Sequence, residues 1–253
     1  MKNGRIHLRW AKLRPSATGF GLVTGRAAVL ALLLACCFIC PGRAECVSVR
    51  FGDRAAKQVA ITVDDCYNAG HVRAILDLCR EHGIQVTFFV LGAALKTDDA
   101  RLWQSVVEAG HEIGNHSYDH KTLTQLSARD VAEQLKLTQQ RVDELLGYHY
   151  PIRVMRPPYG STNYGLEIAV EKAGYLAVVQ WDVSQTDADK AFQHVKNGSI
   201  LLYHTNQKDV HCLQRLIPLL LEEGYACVTV SELLGLEAVD VSPPTSGHGA
   251  LCF

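Results

Sequence analysis

Short β-branched or aromatic runs alternate with helix-period runs along most of this chain, and no other feature restricts its fold as tightly. Val59 to Val63 reads as a strand, His71 to His82 as a helix stopped by Gly83, and Ile84 to Leu91 as the next strand. Asp99 to Ala109 is a helix ended by Gly110, before a short strand from His111 to Gly114. Ser127 and Asp130 are spaced as an N-cap pair that opens the longest helix, through Leu146 to Gly147. Strand Ile152 to Met155, helix Tyr164 to Ala173, strand Tyr175 to Trp181, helix Ala188 to Lys196 and strand Ser199 to Tyr203 follow. Helix Val210 to Glu223, bent at Pro218, strand Tyr225 to Val230 and a short helix from Ser231 complete seven strand-helix units. Strict alternation at this spacing implies parallel strands joined by helical crossovers, wound into a barrel or laid in an open sheet.

In either arrangement the carboxyl ends of the strands open on one face, where active sites form. Asp64 and Asp65 follow the first strand of the count, His116 the third, Arg156 the fourth, Trp181 and Asp182 the fifth and His204 the sixth, so residues roughly 140 positions apart converge. His116 and His120, four apart, are expected on the same side of a helical turn, close enough to grip one divalent metal. In a chain with 11 histidines that spacing also arises by chance. The Asp64-Asp65 pair strengthens it, because zinc and its neighbours accept oxygen beside nitrogen and a catalytic site needs three protein ligands with one position open. One aspartate with two histidines completes the set and leaves the second aspartate free to act as a base. His111 and His211 read as surface or packing residues, and Ser117 has no identifiable partner base.

The chain has 253 residues, 48% of them hydrophobic and 20% charged, with a net charge of -1, which describes a globular protein of one or at most two domains. Nothing in that balance suggests nucleic acid. Residues 1 to 26 carry Lys2, Arg5, Arg9, Lys12, Arg14 and Arg26 but no acid, and an apolar run from Ala27 to Cys40 leads to Pro41-Gly42-Arg43-Ala44. This reads as an export signal cut near Ala44, since the run falls short of the roughly 20 residues needed to cross a bilayer. Leu33-Leu34-Ala35-Cys36 is alternatively a lipoprotein cleavage box, so the exported protein is soluble or lipid-tethered, and the membrane enters only through the signal or that anchor. Cleavage at Ala44 leaves Cys46, Cys66, Cys79, Cys212, Cys227 and Cys252, which permit disulfides in an oxidising compartment without specifying a pairing. No Cys-x-x-Cys pair survives, which argues against a thiolate zinc site. The segment 45–236 is expected to form the globular domain, and 237–253, with Pro243-Pro244, a loosely held tail or an edge anchored through Cys252.

Five ordered segments, Ile61-Thr-Val-Asp-Asp65, His116-Ser-Tyr-Asp-His120, Arg156-Pro-Pro-Tyr-Gly160, Trp181 to Asp187 and Leu202-Tyr-His204, resemble the motifs of the polysaccharide deacetylases, the NodB-like enzymes of carbohydrate esterase family four. The resemblance spans nearly all of the chain beyond the leader. It implies an α/β fold, a distorted (β/α)7-type parallel barrel in a single domain, with seven or eight strands. It also implies a divalent metal, commonly zinc, with cobalt or nickel in some members, and removal of acetyl groups from amino sugars or acetylated polysaccharides. By the same resemblance Asp65, His116 and His120 are the metal ligands, Asp64 the general base, and Arg156 the residue that holds the base. Tyr159 would offer a backbone N–H to the oxyanion, His204 would be the general acid, and Asp187 the carboxylate that tunes it. Leu202, Pro158 and Trp181 would contact substrate.

An amide carbonyl is a poor electrophile, so it needs a cation on its oxygen, a base to take a proton from water, a donor for the oxyanion and an acid for the departing amine. His204 suits the last role, and a nearby carboxylate would raise its proton affinity. Asp187 has a second reading as the N-cap of the helix beginning at Ala188. Cys66 stands where the family usually has glycine, which puts a thiol near the metal as a fourth ligand or a point of oxidation. Ser184 and Ala188 replace a frequent aspartate and a groove-walling tryptophan, implying a differently shaped groove. Three functions follow: an N-deacetylase of a chitin-like or peptidoglycan glycan, an acetyl-xylan esterase or small-molecule amidase of the same mechanism, or a silent barrel that binds glycan or metal.

Overall fold

The computed structural model describes residues 46–236. The leader and tail read from the sequence lie outside the described residues. The strands are β1 (Val47–Val49), β2 (Gln58–Asp65), β3 (Thr87–Val90), β4 (Glu112–Asn115), β5 (Val154–Met155), β6 (Ala177–Val179), β7 (Ser199–His204) and β8 (Ala226–Cys227). Between and after them run α1 (Ala69–His82), α2 (Ala100–Glu108), α3 (Ala128–Leu146), α4 (Tyr164–Lys172), α5 (Ala188–His194), α6 (Gln207–Glu222) and α7 (Val230–Leu233). All strand pairings are parallel, in the order β1-β6-β5-β4-β3-β2-β7, with β8 added to β2. Single bridges, Phe51 with Ser199 and Val183 with Leu201, join the two edges. The fold is therefore a distorted parallel barrel, regular through β4, β3, β2 and β7 and only stitched where β6 meets β7.

That stitch explains one departure from the expected strands; the strands expected over 84–91 and 225–230 are likewise shorter, at Thr87–Val90 and Ala226–Cys227. The run expected as Tyr175 to Trp181 pairs as a strand only over Ala177–Val179. The chain then crosses to β7, where the Asp182 and Val183 N–H groups both donate to the Ile200 carbonyl, at 3.1 and 3.3 Å. Asp182 is held there by Arg54 at 2.7 Å, the Ser199 hydroxyl at 3.0 Å and the Ile200 N–H at 2.9 Å. It closes the barrel and does not join the convergent face expected for it. β1 was not anticipated, because three residues with no helix behind them leave no periodic signal.

β2 shows why the sequence builds this core. Val59, Ile61 and Val63 face the helices, while Ala60 points into the barrel beside Phe89, Val154, Ala177, Val179 and Ile200. Thr62 and Asp64 share the inward face by the same two-residue period. β4 must pass close over this interior: a Cβ on Gly114 would lie 2.6 Å from the Phe89 ring, so only glycine fits.

The caps follow the sequence. The Asn68 side chain accepts from the His71 N–H, left-handed Gly83 ends α1, and Ser127 accepts from the Asp130 N–H at the start of α3. α6 begins three residues before the expected Val210, because Asn206 caps it, and it continues through Pro218. The five described cysteines, Cys46, Cys66, Cys79, Cys212 and Cys227, are all free thiols. Among the described residues no helix is long and apolar enough to cross a membrane.

Candidate metal centre and active site

The register of β2 against its neighbours assembles the site. Asp64 is paired with Phe89 of β3 on one side and with His204 of β7 on the other. Register partners in parallel strands point the same way, so Asp64 and His204 stand side by side at the top of the barrel interior, and a slip of one residue would turn His204 outward. Arg156, following β5, fills the space beneath them and is fully buried. Its Nη1 donates to Asp64 Oδ1 and to the Thr62 hydroxyl, both at 2.7 Å. Nε and Nη2 donate to the carbonyls of Val179 and Gln180 at 3.2 and 3.0 Å, and the guanidinium lies 4.3 Å above the Phe89 ring. Burial lowers the proton affinity of the guanidinium and the Asp64 carboxylate opposes that shift. An arginine with four such bonds has no freedom to leave Asp64.

Asp65, His116 and His120 each offer a ligand atom, all within 4.8 Å of one another. His116 Nε2 and His120 Nε2 lie 3.5 and 3.6 Å from Asp65 Oδ1. His116 Nδ1 lies 2.8 Å from the Arg156 carbonyl, which accepts its proton and turns Nε2 toward the aspartates. Burial lowers the proton affinity of His116, against the pull of Asp64, and so favours the neutral imidazole a metal needs. Asp65 Oδ1 is buried and has no hydrogen-bond partner among the described residues. A buried carboxylate oxygen facing two imidazole nitrogens is costly unless something cationic sits between them. The oxygen-nitrogen-nitrogen donor set therefore fits a divalent ion of the zinc, cobalt or nickel kind.

The two histidines do not lie on a helix, as their spacing had suggested. Residues 116–122 form a loop, with Ser117 at φ 72° and His120 at φ 63°. Asn115 Oδ1 accepts the Ser117 N–H at 2.8 Å, and the Ser117 hydroxyl accepts the His120 N–H at 3.1 Å. Gln134 of α3 accepts the N–H groups of Tyr118 and Asp119. These side-chain turns replace the helix and bring the two rings to 5.1 Å between centroids. All five non-glycine residues with positive φ among the described residues, Asp65, Cys66, Ser117, His120 and Tyr159, surround this cluster. Each costs on the order of 1–2 kcal/mol, and such strain collects at functional sites.

A cavity of about 460 Å³ opens over the cluster, lined by Asp64, Asp65, His116, His120, Pro157, Tyr159, Gly160, Trp181, Leu202 and His204. Among the expected substrate contacts, Leu202 and Trp181 are there. Pro158 is not; it is buried beneath the turn, and its neighbour Pro157 takes the wall position. Gly160 is required there, since a Cβ would meet the Trp181 ring at 2.8 Å. The Cys66 Sγ lies 3.8 Å from the Val63 carbonyl, outside the three-ligand set, and burial followed by the nearby Asp64 and Asp65 charges pushes its thiol well up.

The carboxylate on His204 is Asp209, not Asp187. Asp209 Oδ2 is 3.5 Å from His204 Nδ1 and accepts the His204 N–H at 2.7 Å. The Asp209 carboxylate facing Nδ1 raises the proton affinity of the His204 ring. Burial opposes ionisation of Asp209, but its bonds to His204 and Asn206 outweigh that and hold its carboxyl below the usual range. Asp187 takes its other reading: its side chain caps α5 by accepting the Lys190 N–H at 3.0 Å. The overlooked signal was the Asn206-x-x-Asp209 spacing, a capping pair at the start of α6, with the Asp209 N–H donating to Asn206 Oδ1 at 3.0 Å. Because Asp209 keeps His204 protonated to higher pH, Asp209→Asn is expected to move the alkaline limb of kcat/KM to lower pH. Asp187→Asn, which still caps α5, should leave it in place. An unmoved limb in Asp209→Asn would remove this partnership.

Comparison with known proteins decides between an accidental likeness and kinship. The profile described as "Polysaccharide deacetylase" matches residues 51–178, just over half of the chain. The chain belongs to the polysaccharide deacetylase family. The peptidoglycan-N-acetylglucosamine deacetylase of Listeria monocytogenes is 33% identical over 189 residues, which is 71% of this chain and 39% of that longer protein. A solved peptidoglycan N-acetylglucosamine deacetylase superposes with a TM-score of 0.67 at 27% identity, covering 76% of this chain and 94% of that one. A CE4 family pseudoenzyme from Bacillus anthracis superposes equally well, with a TM-score of 0.67 at 25% identity over 76% of this chain and 70% of that one. The deacetylase fold thus houses both an enzyme and a pseudoenzyme, and the side chains of the present deacetylase homologue must separate the two.

Proposed function

We propose that this protein is a cation-dependent N-deacetylase acting on an amino-sugar glycan, of the peptidoglycan or chitin-like kind, outside the cytoplasm. One observation carries the reading. Asp64, clamped by Arg156 and paired in register with His204, stands beside three ligand side chains whose central oxygen has no hydrogen-bond partner among the described residues. A barrel that only held a cation would need the three ligands but not a buried base paired in register with His204 beside them.

Asp65, His116 and His120 would hold the cation, which when bound polarises the acetyl carbonyl and acidifies a water beside it. Asp64 takes the proton of that water through Oδ2, because Oδ1 is held by Arg156 and cannot turn away. The Tyr159 N–H serves the oxyanion, and Leu202 lies against the acetyl methyl. His204, its proton held by Asp209, delivers that proton to the departing amine nitrogen. The basic start and apolar run that read as an export leader cut near Ala44, or as an anchor at Cys36, support a location outside the cytoplasm, where such glycans are found.

The test is acetate release from N-acetylglucosamine oligomers and from peptidoglycan by the mature protein. Release is expected to vanish with a chelator and to return with zinc, cobalt or nickel. Release from acetyl-xylan alone would select the esterase instead, and no release from any acetylated glycan under any of these ions would select the silent barrel.

A further inference from the structure

The loop that carries two of the three cation ligands is gripped from behind by a residue that lines no part of the cleft. Asn115, the last residue of β4, is fully buried and shares a face of that strand with Ile113, which packs into the core on the helix side. Its amide therefore stands in an apolar layer, where each polar atom needs a partner. Nδ2 donates to the Leu135 carbonyl of α3 at 3.0 Å and to the Tyr175 hydroxyl at 2.6 Å. Oδ1 accepts the Ser117 N–H at 2.8 Å. A carbonyl can only accept, so the amide cannot flip: Nδ2 must face Leu135 and Tyr175, and Oδ1 must face Ser117.

That last bond closes the turn in which Ser117 takes φ 72°, a strained backbone for serine, and the turn sets how far His116 and His120 stand apart. Tyr175 is the remote end of this chain of bonds. It is 6% exposed, and with Leu135, Gln139 and Ile152 it lines a cavity of about 380 Å³ that shares no residue with the cleft. We propose that Tyr175 is a positioning residue for the cation centre: its hydroxyl, acting through the Asn115 amide, holds the Ser117 turn and with it the spacing of the two histidine ligands. The inference rests on the three-ligand reading of the site and needs no deacetylation to be tested.

Zinc binding to the full-length mature protein is measured by titration calorimetry, beside the Tm of the metal-free form. Tyr175→Phe keeps the ring and removes the hydroxyl, and is expected to weaken zinc binding about tenfold, as loss of a partner outside the ligand shell does. Tyr150→Phe is the matched control, because Tyr150 is also buried and its hydroxyl oxygen also accepts from β4, at the Ile113 N–H (3.1 Å). It should lower Tm and leave zinc affinity where it was. In an Asn115→Ala background Tyr175→Phe should cause no further loss of zinc affinity, since the bond it breaks is already gone. Should Asn115→Ala not fold, the comparison of Tyr175→Phe with Tyr150→Phe decides alone. Unchanged zinc affinity in Tyr175→Phe overturns the proposal, as does an equal loss in Tyr150→Phe or a full added loss beside Asn115→Ala. A wild-type protein that binds no zinc, cobalt or nickel removes the cation centre and the proposal with it. Zinc binding that depends on Tyr175, without acetate release from any glycan, keeps the proposal while the deacetylase reading falls.

Discussion

Asp64→Asn is expected to lower kcat for acetate release by about 10²–10⁴-fold, the range by which a positioned base contributes. The substitution is isosteric and keeps an oxygen for the 2.7 Å bond from Arg156, so the arginine and the strands around it should stay where they are. What is lost is the ability of the second oxygen to take a proton. Because Asp64 lies outside the three-ligand set, calorimetric titration of zinc should give the same stoichiometry in mutant and wild type. Full turnover by Asp64→Asn would end its assignment as the base; loss of zinc binding would mean that it is a ligand.

The second large effect is on stability. Arg156→Met strands a carboxylate that is 3% exposed, and it leaves the Thr62 hydroxyl and two backbone carbonyls without their donor. Breaking a buried ion pair from one side costs about 3–5 kcal/mol. In a domain of this size each kcal/mol moves Tm by roughly 2–4 °C, so a fall of about 6–20 °C is expected in a calorimetric scan. Arg156→Lys should recover little, since one ammonium cannot reach four acceptors that a planar fork spans. The double variant Asp64→Asn with Arg156→Met removes the stranded charge and should melt above Arg156→Met alone. A melting point for Arg156→Met within a degree of wild type would show that the pair contributes nothing to the fold.

The chemistry of the site was more legible in the sequence than its geometry. Asp64, Asp65, His116, Arg156 and His204 could be found because each stands at or just after the carboxyl end of a strand, and strand ends are marked by the return of polar residues after an apolar run. The local path between them could not. His116 and His120 share a face in a helix, but here the Asn115 and Ser117 side chains bond to the backbone ahead of them and hold the segment in a loop instead. Asp187 and Asp209 are both acids in the first turn of a helix or just before it. The placement of α6 directly after β7 decides which one meets His204, and the Asn206-x-x-Asp209 capping spacing is its one trace in the sequence. The closure of the barrel was hidden for a similar reason: Asp182 looks like a residue at a strand end, yet its partners Arg54 and Ser199 lie 128 and 17 positions away.

β2 has consequences for how the protein matures. Its partner on one side is β7, and the Thr62 hydroxyl finds its carbonyl at Leu201, 139 positions later. The carboxylates of β2 therefore leave the ribosome long before the strand that holds them exists, and a chain of this contact order closes late. The pairing of Asp64 with His204 therefore exists only once β7 has docked on β2, so a chain released before β7 lacks one side of the cleft.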